Sequence, residues 1–411
     1  MPFVKDIMLD VKKPYLMLQF DGHGADAGYL TRIEAALESF KTFKPAADFK
    51  GRHFVKRCTY LKDKTILVPP MEPVGVHFFA AALRAYGYDA RPMEENADAF
   101  EMGLKHMSGN ECVPYPVILG DILYNVEKMN LDPNKCAFFI PTASGPCRLG
   151  QYVRLYDIIF NKMGWKGAAY FTPSAVDGYK GVPLEAYKRI WLSLLTTEIF
   201  KKMELKLRPY EKVPGTVNAV KEKMKIYMTS EFEKKDWDFP KALDHVLNQY
   251  RKIDIHTDIV KPRVGIVGEI YVRNTPFINN DLIGFIEKNG GEAMLTSIIE
   301  WIVYRQVLNK MLATDDGFKP GEYIKAMISN RFFHKTESKY FGMADDIIQD
   351  RVEPGVDEIV KAGLKYVPLE FNGEVILTVG RGVLFITKNQ AKAVVNVAPA
   401  FCMFGTIGTS L

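Results

Sequence analysis

Short apolar runs closed by proline or glycine, each followed by a segment of helical period, constrain this chain more than any other feature. Thr65-Ile66-Leu67-Val68-Pro69 carries the signal of a buried strand. Val74 to Tyr86 has apolar residues at helical spacing, and Gly87-Tyr88-Asp89-Ala90-Arg91 turns into a second strand. A strand, a helix and a strand in this order form a βαβ unit, which implies a parallel sheet. The alternation continues through a helix from about Val117 to Met129 and the strand Ala137-Phe138-Phe139-Ile140-Pro141. A loop through Cys147, a helix over 153–163 and the strand Gly167-Ala168-Ala169-Tyr170-Phe171 follow.

The pattern then returns. Arg263-Val264-Gly265-Ile266-Val267-Gly268-Glu269 reads as a strand and loop, Asp281 to Lys288 as a helix, and Gly290-Gly291-Glu292-Ala293-Met294-Leu295 as a turn into a strand. This last run repeats the glycine, acidic residue, alanine order of Gly87 to Ala90. Late strands are expected at Val375-Ile376-Leu377-Thr378-Val379-Gly380 and Ala393-Val394-Val395-Asn396-Val397. Residues 183–251 are charged and helical in period, with breaks at Pro209–Pro214 and at Asp238-Phe239-Pro240, and predict three helices without strands. Two doubly wound α/β domains of similar design are therefore expected. The expected divisions are an N-terminal strand–helix segment over 1–63, a first domain over 64–182 and a helical linker or cap over 183–261. A second domain over 262–411 carries a helical insertion at about 297–366. In the first segment, Tyr15 to Phe20 reads as a strand and Tyr29 to Phe43 as a helix. His23, beside Asp21, reads as a loop histidine in an Asp/Gly turn.

Composition narrows the function. At 411 residues the chain is long for one core. Its net charge of +5 is spread out. The nearest thing to a basic block, Lys201-Lys202 to Arg208, alternates with apolar residues and reads as a solvated helix face, so nucleic acid is not an expected partner. No apolar run reaches the roughly 18 residues of a membrane span, and the N-terminus lacks the basic-then-apolar form of a signal peptide. Five cysteines at irregular spacing do not predict a disulfide framework, and a reducing, cytoplasmic compartment is expected.

Three of those cysteines sit in loops beside proline: Asn110-Glu111-Cys112-Val113-Pro114, Ser144-Gly145-Pro146-Cys147-Arg148, and Ala398-Pro399-Ala400-Phe401-Cys402-Met403. Cys147 lies at a strand-to-helix turn, where free N–H groups and the helix dipole favour an anion such as a thiolate. Ligands of open α/β sheets bind beyond the carboxyl ends of the strands, and Cys147 and Cys402 lie there, one in each half. One metal site assembled from distant parts of the chain is a natural reading. Paired zinc-type ligands at short spacing are lacking. Widely spaced thiolates in glycine- and proline-rich loops suit an iron–sulfur cluster at least as well. A thiol enzyme with Cys147 as nucleophile is the alternative, although none of the seven histidines has a context that pairs it with Cys147. Cys58 and Cys136 read as buried small hydrophobes. Arg148 and Gln151 flank Cys147 and are candidates to orient an anionic or carbonyl group. Glu269 follows a buried strand and either caps the next segment or faces the cleft. Asn279-Asn280-Asp281 caps a helix. Gly380-Arg381-Gly382 reads as a turn and supports neither a dinucleotide nor a P-loop motif.

Four stretches carry a resemblance: Asn110 to Pro114, Pro141-Thr142-Ala143-Ser144-Gly145-Pro146-Cys147-Arg148-Leu149-Gly150-Gln151-Tyr152, Gly268-Glu269-Ile270-Tyr271-Val272-Arg273, and Val397 to Met403. Together with Phe20 to Arg32 they resemble the 2-hydroxyacyl-CoA dehydratase subunit family, and most closely its activase-related branch. The resemblance covers nearly the whole chain. It implies Rossmann-like domains, doubly wound with helical insertions, and a [4Fe–4S] cluster held in the cleft by Cys112, Cys147 and Cys402. It further implies an ATP-hydrolysing activase as electron donor, a second family subunit as possible partner and an acyl-CoA-type substrate. In that family the cluster's electron reduces a thioester carbonyl to a ketyl radical, which expels the neighbouring hydroxyl. An oxygen-labile iron–sulfur protein for reduction or dehydration is therefore expected, with a non-catalytic activase-binding subunit as the alternative. Two departures stand out. Phe404 follows Cys402-Met403 where the family has proline, and the chain stops at Leu411 where relatives continue with a further strand and helix. A truncated product, or a last piece supplied by another chain, is the corresponding expectation.

Overall fold

The computed structural model describes residues 8, 11–16, 18, 26–44, 61–107, 109, 111–142, 147–172, 182–315, 320–351, 353–371, 373–400 and 402–411. His23, Cys58, Ser144-Gly145-Pro146 and part of the expected strand over 15–20 lie outside them. The chain divides into two compact units, Met1–Lys56 and Arg57–Leu411. The first contains helix α1 (Asp26–Lys41). All that follows concerns the second.

It is α/β, with two parallel sheets. The first holds β1 (Thr65–Val68), β2 (Asp89–Pro92), β3 (Cys136–Phe139) and β4 (Ala169–Phe171) in the order β2-β1-β3-β4. The second holds β5 (Arg263–Gly268), β6 (Glu292–Leu295) and β7 (Ala393–Val397) in the order β6-β5-β7. In each sheet the earliest strand lies in the middle, with the next strand on one side and a later one on the other. The internal similarity seen in the sequence is thus a similarity of strand order. Parallel pairing demands crossovers, and helices supply them. α2 (Gly75–Arg84) joins β1 to β2, while α3 (Ala97–Leu104) and α4 (Pro114–Lys128) lie between β2 and β3. α5 (Tyr152–Lys162) joins β3 to β4.

Residues 183–251 form three helices, as their period predicts: α6 (Leu184–Leu207), α7 (Thr216–Glu233) and α8 (Phe239–Tyr250). After β5 come α9 (Ile270–Asn274), a single turn at Pro276–Asn279 and α10 (Leu282–Lys288). Asp281 caps α10 by accepting the Gly284 N–H at 3.2 Å. The insertion contains α11 (Ile299–Asp315), α12 (Pro320–Met343) and α13 (Val356–Gly363). α14 (Glu374–Thr387) and, after β7, α15 (Met403–Ser410) complete the chain.

The expected strand over 375–380 is instead the first half of α14. Val375, Ile376, Leu377 and Thr378 are all buried, so this face shows no polar side and its period is hidden. Gly380-Arg381-Gly382 is accordingly inside a helix and not a turn. A Cβ on Gly380 would lie 2.1 Å from the Ile359 carbonyl oxygen, so glycine there lets α14 and α13 touch backbone to backbone.

The solvated face expected at Lys201 to Arg208 is also corrected. Lys201 pairs with Glu72 at 3.1 Å and with Glu204 at 3.4 Å; Lys202 pairs with Glu353, and Arg208 with Glu204 and with Glu287 at 2.7 Å. Glu204 is local, but Glu72, Glu287 and Glu353 come from distant segments, which is why the local alternation of charge misleads. Burial pushes Glu204 up, but Lys201, Arg208 and Lys221 outweigh it and hold its carboxyl at about 2.

Candidate functional site

The carboxyl ends of both sheets deliver the candidate residues. Cys147, after β3 in the chain, stands at the head of a 3-10 turn over Arg148–Gln151 that leads into α5. β5 ends at Gly268 and delivers Glu269. β7 ends at Val397 and leads to Cys402, which caps α15. Cys112 stands just before α4, whose start is fixed by Pro114.

Gly268 shows why Glu269 sits where it does. Its φ is +117°, and an added Cβ would lie 2.0 Å from the Val397 carbonyl oxygen. Only glycine lets β5 bend this closely along β7. The Glu269 N–H then donates to the Val397 carbonyl at 2.8 Å. The Glu269 carboxylate turns back and accepts the N–H groups of Tyr271 (3.1 Å) and Val272 (2.9 Å). It therefore caps α9, and the same carboxylate acts electrostatically on all three loop thiols. Both readings of Glu269, a cap and a group facing the cysteines, describe the one side chain.

The three cysteines lie within electrostatic reach of one another. Cys112 feels Cys402, and Cys147 feels both Cys112 and Cys402. Each sulfur has a local hydrogen-bond partner. Cys112 Sγ is 2.5 Å from the Tyr152 hydroxyl, the Leu149 N–H donates to Cys147, and the Gly405 N–H donates to Cys402 at 3.4 Å. Burial nevertheless dominates. It pushes Cys147 up to about 12, helped by Glu269 and the other two thiols, and it raises Cys112 and Cys402 as well. Cys136 lies apart at the start of β3, where its sulfur donates to the Asp132 carbonyl, and burial raises it to about 11. All four described cysteines are free thiols.

Arg148 and Gln151 are exposed on the turn after Cys147. Arg148 acts on Cys112 by charge and lowers its pKa. A second acid, Glu374 at the start of α14, was not singled out from the sequence. It pairs with Arg273 at 3.0 Å and accepts the Ile270 N–H, yet burial, with Glu269 adding, pushes it to about 8. Arg273 also donates to the carbonyls of Gly268 and of Ser297, so it ties β5, α9 and α14 together.

Among the described residues no three His, Cys, Asp or Glu side chains converge closely enough to hold a single metal ion. A multi-iron cluster takes one thiolate at each of several irons and does not need a single point of convergence. The donor set suits such a group. One buried and two half-buried thiols lie with the half-buried carboxylates of Glu269 and Glu374, and Arg148 and Arg273 are the cations that act on them. A cationic group that displaced the thiol protons would remove the charge problem. No helix of the described residues is long and apolar enough to cross a membrane. In comparisons with protein families, with curated proteins and with solved structures, the chain matches none.

Proposed function

We propose that this chain is an iron–sulfur protein of the 2-hydroxyacyl-CoA dehydratase kind, built of two Rossmann-like, doubly wound halves. Cys112, Cys147 and Cys402 would hold a [4Fe–4S] cluster. The reading is carried by one observation: thiols from three loops far apart in sequence, two of them beyond the carboxyl ends of parallel strands, lie within electrostatic reach of one another and of Glu269. When bound, the cluster would supply low-potential one-electron chemistry, fed by an ATP-hydrolysing activase, for reduction or dehydration of an acyl-CoA-type substrate.

The chain's own residues have separate tasks in this proposal. The N–H groups of Leu149 and Gly405 and the Tyr152 hydroxyl hydrogen-bond the sulfurs and so tune the centre. Glu374, pushed to about 8 by burial, holds a proton beside it, and burial raises Glu269 as well. Arg148 and Gln151 would orient the anionic or carbonyl end of the substrate. A nucleophilic thiolate needs a lowered pKa, and burial shifts Cys147 the other way.

Anaerobic reconstitution, with iron and sulfide counted and an EPR spectrum of the reduced protein, tests the proposal. About four irons per chain and a signal that Cys147→Ser abolishes would support it. Stoichiometric alkylation of Cys147 in metal-free native protein, with iron taken up by neither form, would instead identify a thiol enzyme.

A further inference from the structure

Asp121 and Glu95 belong to nothing assigned above. Asp121 stands in α4 among Val117, Ile118, Leu119, Ile122 and Leu123 and is 1% exposed. A close helix crossing seals it. A Cβ at Gly120 would lie 1.9 Å from the Ala99 carbonyl oxygen, and one at Gly103 would lie 1.8 Å from that of Pro116. Both carboxylate oxygens of Asp121 are buried without a hydrogen-bond partner, and so are Glu95 Oε1 and the Tyr271 hydroxyl.

Asn125, one turn beyond Asp121, brings Glu95 to the site. Its side-chain oxygen accepts the Glu94 N–H at 2.9 Å, and its amide donates to the carbonyls of Glu94 and Asp121, each at 2.8 Å. Glu94 itself turns outward to Lys128. The titratable groups that act around the pair are Tyr271 from α9 and Tyr156 from α5. Arg273 on α9 is committed to Gly268, Ser297 and Glu374. Among the described residues no lysine, arginine or histidine acts on either acid.

Two buried carboxylates without a cation do not both stay ionised. Tyr156 lies within electrostatic reach of both Asp121 and Cys112. Tyr271 lies within reach of Asp121, Glu95, Tyr156 and Glu269. We propose that Asp121 and Glu95 hold a proton in common at neutral pH and serve as the proton store of the cysteine site, which Tyr156 and Tyr271 connect to them by electrostatic reach. This rests on the reductive reading of that site. Expelling a hydroxyl as water takes up one proton at that step, and dehydration later releases one from the substrate carbon to solvent. The pair gives up the proton taken at the first step, becomes anionic, and is reprotonated from solvent through Glu95, the less buried of the two. Burial supports the assignment: it raises Asp121 well above the usual carboxylate range, with Glu95 adding, and brings Glu95 to about 8.

Infrared difference spectra of the iron-free chain test the pair without the cluster. Wild type, Asp121→Asn and Glu95→Gln are compared in H2O and D2O as pH rises. The expected result is a D2O-sensitive C=O stretch of protonated carboxyl at neutral pH, weakened in Asp121→Asn, with the Glu95 component titrating away in wild type near pH 8. Glu95→Gln, on the loop, carries the test if Asp121→Asn does not fold. In reconstituted protein the midpoint potential should fall with rising pH in wild type and lose that slope in the variants. Absence of the band, or a slope unchanged in both variants, overturns the proposal. So does stoichiometric Mg2+ or Mn2+ binding that Asp121→Asn removes, because the pair is then a cation site. If the band is present but no iron is taken up, the reductive reading and the delivery role fall together, while the shared proton stands.

Discussion

Arg381 and Asp121 are charged side chains buried to almost the same depth, 2% and 1% exposed, and the protein treats them in opposite ways. Arg381 lies in a compensated cluster. It pairs with Glu353 and with Glu300 at 3.4 Å, donates to Gln390 at 3.1 Å and stacks 4.2 Å from the centre of the Phe385 ring. Lys202 adds a second cation on Glu353. Burial pushes Glu353 up, but Arg381 and Lys202 prevail and hold it below the usual range. Asp121 and Glu95 have no such partner. The charge around Arg381 is matched across segments, and that of Asp121 and Glu95 is not. Mismatch is therefore the better guide to chemistry here than burial.

The largest effect should come from breaking the compensated side. Arg381→Met would leave Glu353 with Lys202 alone and Glu300 without its cation, at a cost of about 3–5 kcal/mol at neutral pH. Urea unfolding reads this directly, and a loss below about 1 kcal/mol would mean that the cluster is already largely neutral. The uncompensated side should respond to pH instead. The folded-state pKa of Glu95 is raised to about 8. Its contribution is therefore fully present below the unfolded pKa and is lost as pH rises through about 8. Glu95→Gln should unfold much like wild type near pH 5 and be the more stable protein near pH 9, by a few kcal/mol at most. Equal pH slopes for the two proteins would break the contrast.

A third substitution tests the close pairing of β5 with β7. Gly268→Ala has to fit a left-handed backbone and a methyl group against the Val397 carbonyl. A loss of about 2–3 kcal/mol is expected, with Glu269 displaced from the thiols. The smallest effect is expected for Tyr152→Phe, about 1 kcal/mol. Its hydroxyl lowers the Cys112 pKa, so the variant thiol should titrate higher than in wild type, as followed by thiolate absorbance.

Much of the fold was legible in the sequence. The strands after the first segment, apart from 375–380, announce themselves as short apolar runs ended by proline, glycine or a polar loop. Asp281 and the three helices of 183–251 follow from capping and period. The misreadings share one cause, which is that burial on all sides erases local pattern. Val375 to Val379 is β-branched and wholly apolar, and nothing in it separates a core helix from a strand. Lys201 to Arg208 has the charge alternation of a wet surface, but apart from Glu204 its acids come from residues 72, 287 and 353. At the site, the three loop cysteines and Glu269 were visible from proline, glycine and strand ends. Glu374 was not, because its helix was misread. Asp121 carried a usable signal, a single acid inside Val117-Ile118-Leu119-Gly120-Asp121-Ile122-Leu123, where an acid needs a reason.

The cysteine contrast is the most direct test. Iron and sulfide per chain should be measured after anaerobic reconstitution of wild type, Cys112→Ser, Cys147→Ser, Cys402→Ser and Cys136→Ser in parallel. We predict about four irons in wild type and in Cys136→Ser, and their loss in each of the other three. Iron in none of the proteins, or the same iron in all five, would contradict the account.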